Sequence, residues 1–211
     1  MNNLPIFPLK SIVLPGGLFP LRIFERRYLD MVRDSIKNES CFCIALVKTE
    51  SRDKYIDDVY PIASLVKIID WNQLEDGLLG ITVEGINLVD IQSCKLDENN
   101  LLKGDVKDIE PEREYMIPEK YRLLSKFYKK IHPGIKNFID YKKERYSDAS
   151  WVGFRLTECL PLDLSTKAKL ISSNDAIARL EKIHEIIHKL YREELKVCLL
   201  YTSDAADDDH C

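Results

Sequence analysis

Short apolar runs alternate with turn residues along residues 4–109: LPIFPL, GLFPLRIF, SCFCIALVK, PIASLVKIID, GLLGITVEG and INLVDIQ. Runs of this length, rich in β-branched residues and cut by Gly, Pro, Asn and Asp, are the pattern of strands, and their close spacing predicts a compact β-barrel or sandwich. One helical segment interrupts them. Residues 24–37 (FERRYLDMVRDSIK) place Tyr28, Val32 and Ile36 at four-residue intervals with charges between. Residues 110–118 (EPEREYMIP) are acidic and bounded by prolines, which bias the chain toward extended backbone.

Beyond this segment the period becomes helical. Helices are predicted over 119–131, over 135–143 after a break at His132-Pro133-Gly134, over 149–159 ended by Pro161, and over 164–171. A last helix begins at a cap on Ser173 or Asn174 and runs to about residue 196. The expected fold class is α+β: a β domain with one helix over residues 1–110, then a helical bundle over 111–197.

Composition fits a folded chain, with 45% apolar and 31% charged residues among 211. No uncharged apolar run approaches the ~20 residues of a membrane helix. The N-terminal segment is broken by Pro5, Pro8 and Pro15 and lacks a basic head, so a secretory leader is not expected and a cytoplasmic location is. Cys41, Cys43, Cys94 and Cys159 lack the dense spacing of a disulfide scaffold and read as reduced core residues.

Residues 198–211 change character abruptly and resemble the translated read-through of a sequencing adapter, the alternative being an acidic tail. Without Asp204, Asp207, Asp208 and Asp209 the formal charge of −4 becomes zero. A neutral body gives no overall electrostatic case for nucleic acid or an anionic membrane. The sequence sets no oligomeric state.

The sharpest catalytic word is His184-Glu185-Ile186-Ile187-His188. Two His four apart share a helix face and can hold Zn²⁺, with the Glu as general base. A buried stripe of Ala176, Leu180, Ile183, Ile187 and Leu190 instead puts His184 at its border and His188 among charges. A catalytic zinc also needs a third ligand, for which the body offers only His132, so no metal or cofactor is expected. Gly80 and Gly85 have P-loop spacing but are followed by Ile86 and Asn87 rather than Lys and a hydroxyl residue. No catalytic set is expected.

Residues 119–146 hold nine Lys/Arg against three Asp/Glu and interleave Phe127, Tyr128, Phe138, Tyr141 and Tyr146. Cations on phosphates with aromatics stacked on bases would bind single-stranded RNA or DNA. A helix pair with aromatics inward and lysines solvated explains the same residues.

The opening block LPIFPLKSIVLPGGLFPLRIFERRYLDMVRDSI resembles the start of the substrate-binding domain of Lon-type proteases. The shared pattern is a strand ending Phe7-Pro8-Leu9, a turn through Val13-Leu14-Pro15-Gly16, and Pro20-Leu21, Ile23-Phe24-Glu25 and Arg27-Tyr28 leading a helix whose first-turn Glu25 complements the dipole. Residues 61–85 look like that family's strand pair, joined at Asp76-Gly77, and 151–183 resemble the helical half of its stand-alone bacterial members. Departures are Tyr60-Pro61, where Gly-Thr is common, and Asn87-Leu88, where Arg-Phe is usual.

The resemblance implies a PUA-like β domain followed by a helical bundle, recognition of unfolded or tagged polypeptides, and a protease or chaperone system as partner. Nothing in the chain resembles the ATPase or Ser-Lys peptidase domains, so a non-enzymatic module is expected. Candidate contacts are Phe7, Pro15, Leu18, Phe19, Ile23 and Tyr28, with Trp151 near the bundle, each of which could equally be core. An apolar groove or an exposed sheet edge would supply the binding mode.

Overall fold

The computed structural model describes residues 1–48 and 59–190. The apolar runs of the first half form strands β1 (Leu4–Leu9), β2 (Gly17–Ile23), β3 (Phe42–Val47), β4 (Val59–Gln73), β5 (Leu79–Leu96) and β6 (Leu102–Asp108), with helix α1 (Arg26–Lys37) between β2 and β3. Pairing runs β4, β3, β1, β6, β5 and back to β4, which closes a five-stranded barrel. Among the described strands only β1 and β3 pair in parallel.

The long strand β5 makes the closure possible. One edge pairs with β4 from Leu79 to Asp90, while the other pairs first with β2 and then, from Val89 on, with β6. The change of partner falls beside Gly85, whose carbonyl accepts from Gly16 N at 2.8 Å. A β-carbon on Gly85 would lie 2.3 Å from the carbonyl oxygen of Leu14, so only glycine lets the β1–β2 connection cross here. Gly80 and Gly85 thus sit inside a strand and form no phosphate loop.

Strand residues alternate between two apolar clusters, as a period of two requires. Phe7, Ile44, Val66 and Val83 pack with Tyr28, Met31 and Val32 of α1, whereas Ile6, Cys43, Ala45, Leu65 and Val89 pack with Cys94, Leu102 and Val106. The α1 stripe differs from the expected four-residue steps. Tyr28, Met31, Val32 and Ser35 are buried and Ile36 is exposed, because the helix buries the i, i+3, i+4, i+7 face. Helix α1 starts two residues later than expected, and Glu25 stands before it in extended backbone, ion-paired to Arg27, rather than in its first turn.

The second half comprises a 3₁₀ turn (Glu119–Tyr121), α2 (Arg122–Ile135), the two-residue strand β7 (Asp140–Tyr141), α3 (Ala149–Cys159), α4 (Leu164–Ser172) and α5 (Ala176–Leu190). Helix α3 is buried along nearly its whole length, and its Val152 and Leu156 join Tyr128, Leu180, Ile183 and Ile187 in the bundle core. The expected break at His132-Pro133-Gly134 is not there. Pro133 lies in the last turn of α2, where it forgoes the one bond to the Lys129 carbonyl, and the helix ends two residues later. The expected helix over 135–143 is replaced by a turn and β7, which pairs with Gly17 and Leu18 of β2.

Aspartates start the last three helices. Asp148 accepts from Ser150 N, Asp163 from Thr166 N, and Asp175 from Ile177 N and Ala178 N, so Asp175 holds the place expected for Ser173 or Asn174. Bonds from Ser165, Thr166 and that backbone N–H hold the Asp163 carboxyl well below the usual carboxylate range. Its contribution is therefore present above the ordinary carboxylate value and lost as the pH falls through the lower folded one. We expect Asp163→Ala to lower stability by about 1 kcal/mol in urea unfolding at neutral pH.

The two halves share a fourth cluster, in which Ile12, Leu14, Leu46 and Leu88 of the barrel side meet Phe154, Ala168 and Ile171 of the helices. The connecting segment is pinned too. Glu112 receives both terminal nitrogens of Arg179 and, at 2.6 Å, the Ser150 hydroxyl. The end expected for α5 and the segment 198–211 lie outside the described residues. Among the described residues no helix is long and apolar enough to cross a membrane.

Candidate polypeptide-binding cleft

The β1–β2 connection is held between barrel and bundle by side chains of α3. Gly16 has φ +80°, a left-handed conformation that favours glycine, and Gly17 N donates to Leu14 O at 2.9 Å, which closes the turn. Arg155 donates to the carbonyls of Leu14 (3.0 Å) and Pro15 (3.3 Å) and to the Glu158 carboxylate (2.9 Å), and Leu14 N donates to the same carboxylate oxygen. Both charged side chains are removed from water. Burial pushes the Glu158 carboxyl up to about 7, with Arg155, the Leu14 N–H and Lys167 acting against it. Lys167, itself lowered by burial, donates to the Glu158 backbone carbonyl at 2.9 Å.

Above this clamp lies a cleft of about 270 Å³. Pro15 and Gly16 of the turn, Ile86 to Leu88 of β5, Ile109 to Glu112 of the connecting segment, Ser150, Trp151 and Phe154 of α3, and the polar side chains of Arg145, Asp148 and Asn174 line it. The volume suits one or two side chains of a peptide better than a cofactor. Ile86 stands 46% exposed at the rim, and Asn87 ties β5 to the connecting segment by donating to Ile109 O at 3.0 Å. Trp151 forms the floor, edge-on to Tyr128, Tyr141 and Tyr146 with centroids 4.9–5.7 Å away.

The candidate residues from the sequence divide by depth. Pro15 and Trp151 meet in the cleft. Leu18 and Phe19 are half-buried on β2, whose far edge is covered by β7 only at Gly17 and Leu18. Phe7, Ile23 and Tyr28 are buried together in the barrel cluster, Phe7 edge-on to Tyr28 at 4.1 Å, and present no face to a ligand in this conformation. Ile86, Arg155 and Glu158 were not legible as site residues. An arginine and a glutamate three apart in an otherwise apolar helix, WVGFRLTECL, are the signal that points to a buried pair.

The basic-aromatic stretch does not form a stacking platform. Tyr128, Tyr141 and Tyr146 surround Trp151 in the bundle core, Phe127 packs against it, and only Phe138, at 68% exposure, projects outward. Its cations are partly engaged: Arg122 with Glu119, Lys142 with Glu84, Arg145 with Glu114 and Asp148. His132 lies beside Asp140 at 3.3 Å, apart from the His184–His188 pair, and among the described residues no three His, Cys, Asp or Glu side chains gather as a metal set. Cys41, Cys43, Cys94 and Cys159 are free thiols, with Cys43 and Cys159 pushed up to about 12 by burial.

The model of the ATP-dependent protease La (LON) substrate-binding domain matches residues 3–189. The chain belongs to this family. The Lon N-terminal domain protein from Xanthomonas campestris superposes with a TM-score of 0.71 at 30% identity, covering 88% of this chain and 98% of that one. The N-terminal domain of Mycobacterium avium complex Lon protease shares the fold, with a TM-score of 0.58 at 17% identity over 87% of this chain and 96% of that one. Lon protease of Endomicrobium trichonymphae is 23% identical over 193 residues, which are 88% of this chain and 24% of that protein. The chain spans about a quarter of the length of the curated Lon proteases it matches, and the match lies in their non-catalytic substrate-binding domain.

Proposed function

We propose that this Lon-family domain is a cytoplasmic, non-enzymatic recognition module that takes unfolded or partly unfolded polypeptide segments through the cleft between barrel and bundle. It would act for a protease or chaperone system whose ATP-driven and peptide-cutting parts reside in other domains. One observation carries the reading: an exposed isoleucine, Ile86, stands at the rim of a cleft floored by Trp151 and Phe154 and walled by a rigidly clamped proline turn. Such a site accepts apolar side chains of an extended segment without a fixed sequence. Half-buried Leu18 and Phe19, next along the chain from the turn, offer further apolar contact and an incompletely covered strand edge.

The proposal is tested by titrating a reduced, unfolded model polypeptide into the protein and into Ile86→Asp. Ile86 is exposed, so the melting temperature should hold while affinity falls about tenfold, the equivalent of roughly 1.4 kcal/mol of lost apolar contact. Equal affinities for the two proteins would remove the cleft from the binding surface.

A further inference from the structure

The two histidines of α5 lie outside the polypeptide cleft and are not used by it. The buried stripe Ala176, Leu180, Ile183 and Ile187 fixes the rotation of the helix and places His184 and His188 one turn apart at its border. The His184 ring meets Tyr121 edge-on at 5.7 Å, which limits its swing, and the His188 ring lies 4.2 Å from it at 75°. Their Nε2 atoms are 3.0 Å apart, a hydrogen bond in which one ring donates to the other, so an ion held between them would displace that proton or shift it to Nδ1. Two imidazole nitrogens each about 2.0–2.1 Å from one ion, at this separation, subtend roughly 91–97° at the ion, a chelate angle close to that of square-planar and octahedral ions and within reach of a distorted tetrahedral one.

We propose that His184 and His188 form a two-point site for a nitrogen-preferring divalent transition-metal ion such as Zn²⁺, Ni²⁺ or Cu²⁺, with water in the remaining positions. Lone pairs on two neutral imidazoles suit these ions and not Mg²⁺ or Ca²⁺, which require oxygen donors. The neighbouring Glu185 is engaged by Lys182 at 2.8 Å, and no third protein ligand completes the set among the described residues. The ion would therefore be held as an exchangeable, solvent-facing ligand and not as a closed structural centre. Lys120, 4.6 Å from the Tyr121 ring centroid, lies close enough for its charge to act on His184 and weakens the attraction for a cation. The expected affinity is correspondingly modest.

The test is calorimetric titration of the full chain with ZnCl₂ at pH 7.5, with MgCl₂ as the oxygen-preferring control. We expect one Zn²⁺ per chain, no heat from Mg²⁺, and at least about a tenfold weakening in His188→Ala, since one of only two protein donors is gone. His188 is exposed, and unchanged circular dichroism would show that its loss acts on the metal and not on the fold. A second variant, Cys198→Ser/His210→Ala/Cys211→Ser, removes the cysteine and histidine donors of residues 198–211 and should bind as before. Zn²⁺ binding unaffected by His188→Ala, lost with the tail variant, or matched by Mg²⁺ would overturn the site.

Discussion

Arg155→Met is expected to destabilise the protein by about 3–5 kcal/mol at pH 8, the largest effect of any single substitution in the clamp. Arg155 is fully buried and is the counter-ion of an equally buried Glu158. Removing it leaves a carboxylate without compensation and also strips the donors from the Leu14 and Pro15 carbonyls. Those carbonyls belong to the turn that walls the cleft, so polypeptide binding should weaken together with stability.

The loss should depend on pH in a defined direction. Glu158 has a folded value of about 7 against an ordinary 4.5. Between these the folded chain holds a proton that the unfolded chain has released, so this group makes stability fall as the pH rises from about 5 to 7 and level off above. Glu158→Gln should therefore match the parent near pH 5 and unfold at higher urea than the parent at pH 8. The penalty of Arg155→Met should shrink toward pH 5, where a protonated Glu158 needs no counter-charge. Urea titrations at the two pH values read both effects, and a penalty that grows on acidification would contradict the assignment.

Trp151→Ala is the second large effect, expected at about 3–5 kcal/mol. The indole is buried among Tyr128, Tyr141 and Tyr146 while its edge faces the cleft beneath Pro15. Truncation opens a cavity that three rigid rings cannot collapse into. Trp151→Phe keeps much of the edge-to-face contact and should lose clearly less. If Trp151→Ala unfolded at the parent's urea midpoint, the aromatic cluster would not be the core of the bundle.

These residues also show how far the sequence could be read. The bounds of α3 were legible because its helical period runs up to Pro161, which stops it; the Asp148 cap at its start emerges only in the structure. The barrel was legible as a class because each strand carries its own β-branched run between turn residues. Its closure was not, since nothing local in LGITVEGINLVDIQSCKL says that one strand will serve β4 on one edge and both β2 and β6 on the other.

Local breakers misled where position mattered more than identity. Pro133 costs α2 one hydrogen bond, and the helix runs through it to end two residues later rather than before it. Asp175 outcompeted Ser173 and Asn174 as the cap because the first turn begins at Ala176. Among the candidate contacts, Phe7, Ile23 and Tyr28 are buried in the barrel cluster, and an apolar residue in a strand carries no mark of which face it will take until the register is known. Ile86, one step from the buried Gly85 and two from the buried Leu88, is the converse case: a strand isoleucine left at the surface.

Recognition of polypeptide by apolar contact in the cleft separates this domain from a nucleic-acid binder. It is tested most directly by titrating the protein against an unfolded polypeptide and a single-stranded RNA at low and at high salt. The expected result is saturable polypeptide binding that changes little with salt, because the charged wall residues Glu112, Arg145 and Asp148 are already ion-paired within the protein, and all the aromatics of residues 119–146 except Phe138 pack into the bundle. RNA binding that falls steeply with salt, without polypeptide binding, would contradict the claim and transfer the site to the basic surface of residues 119–146.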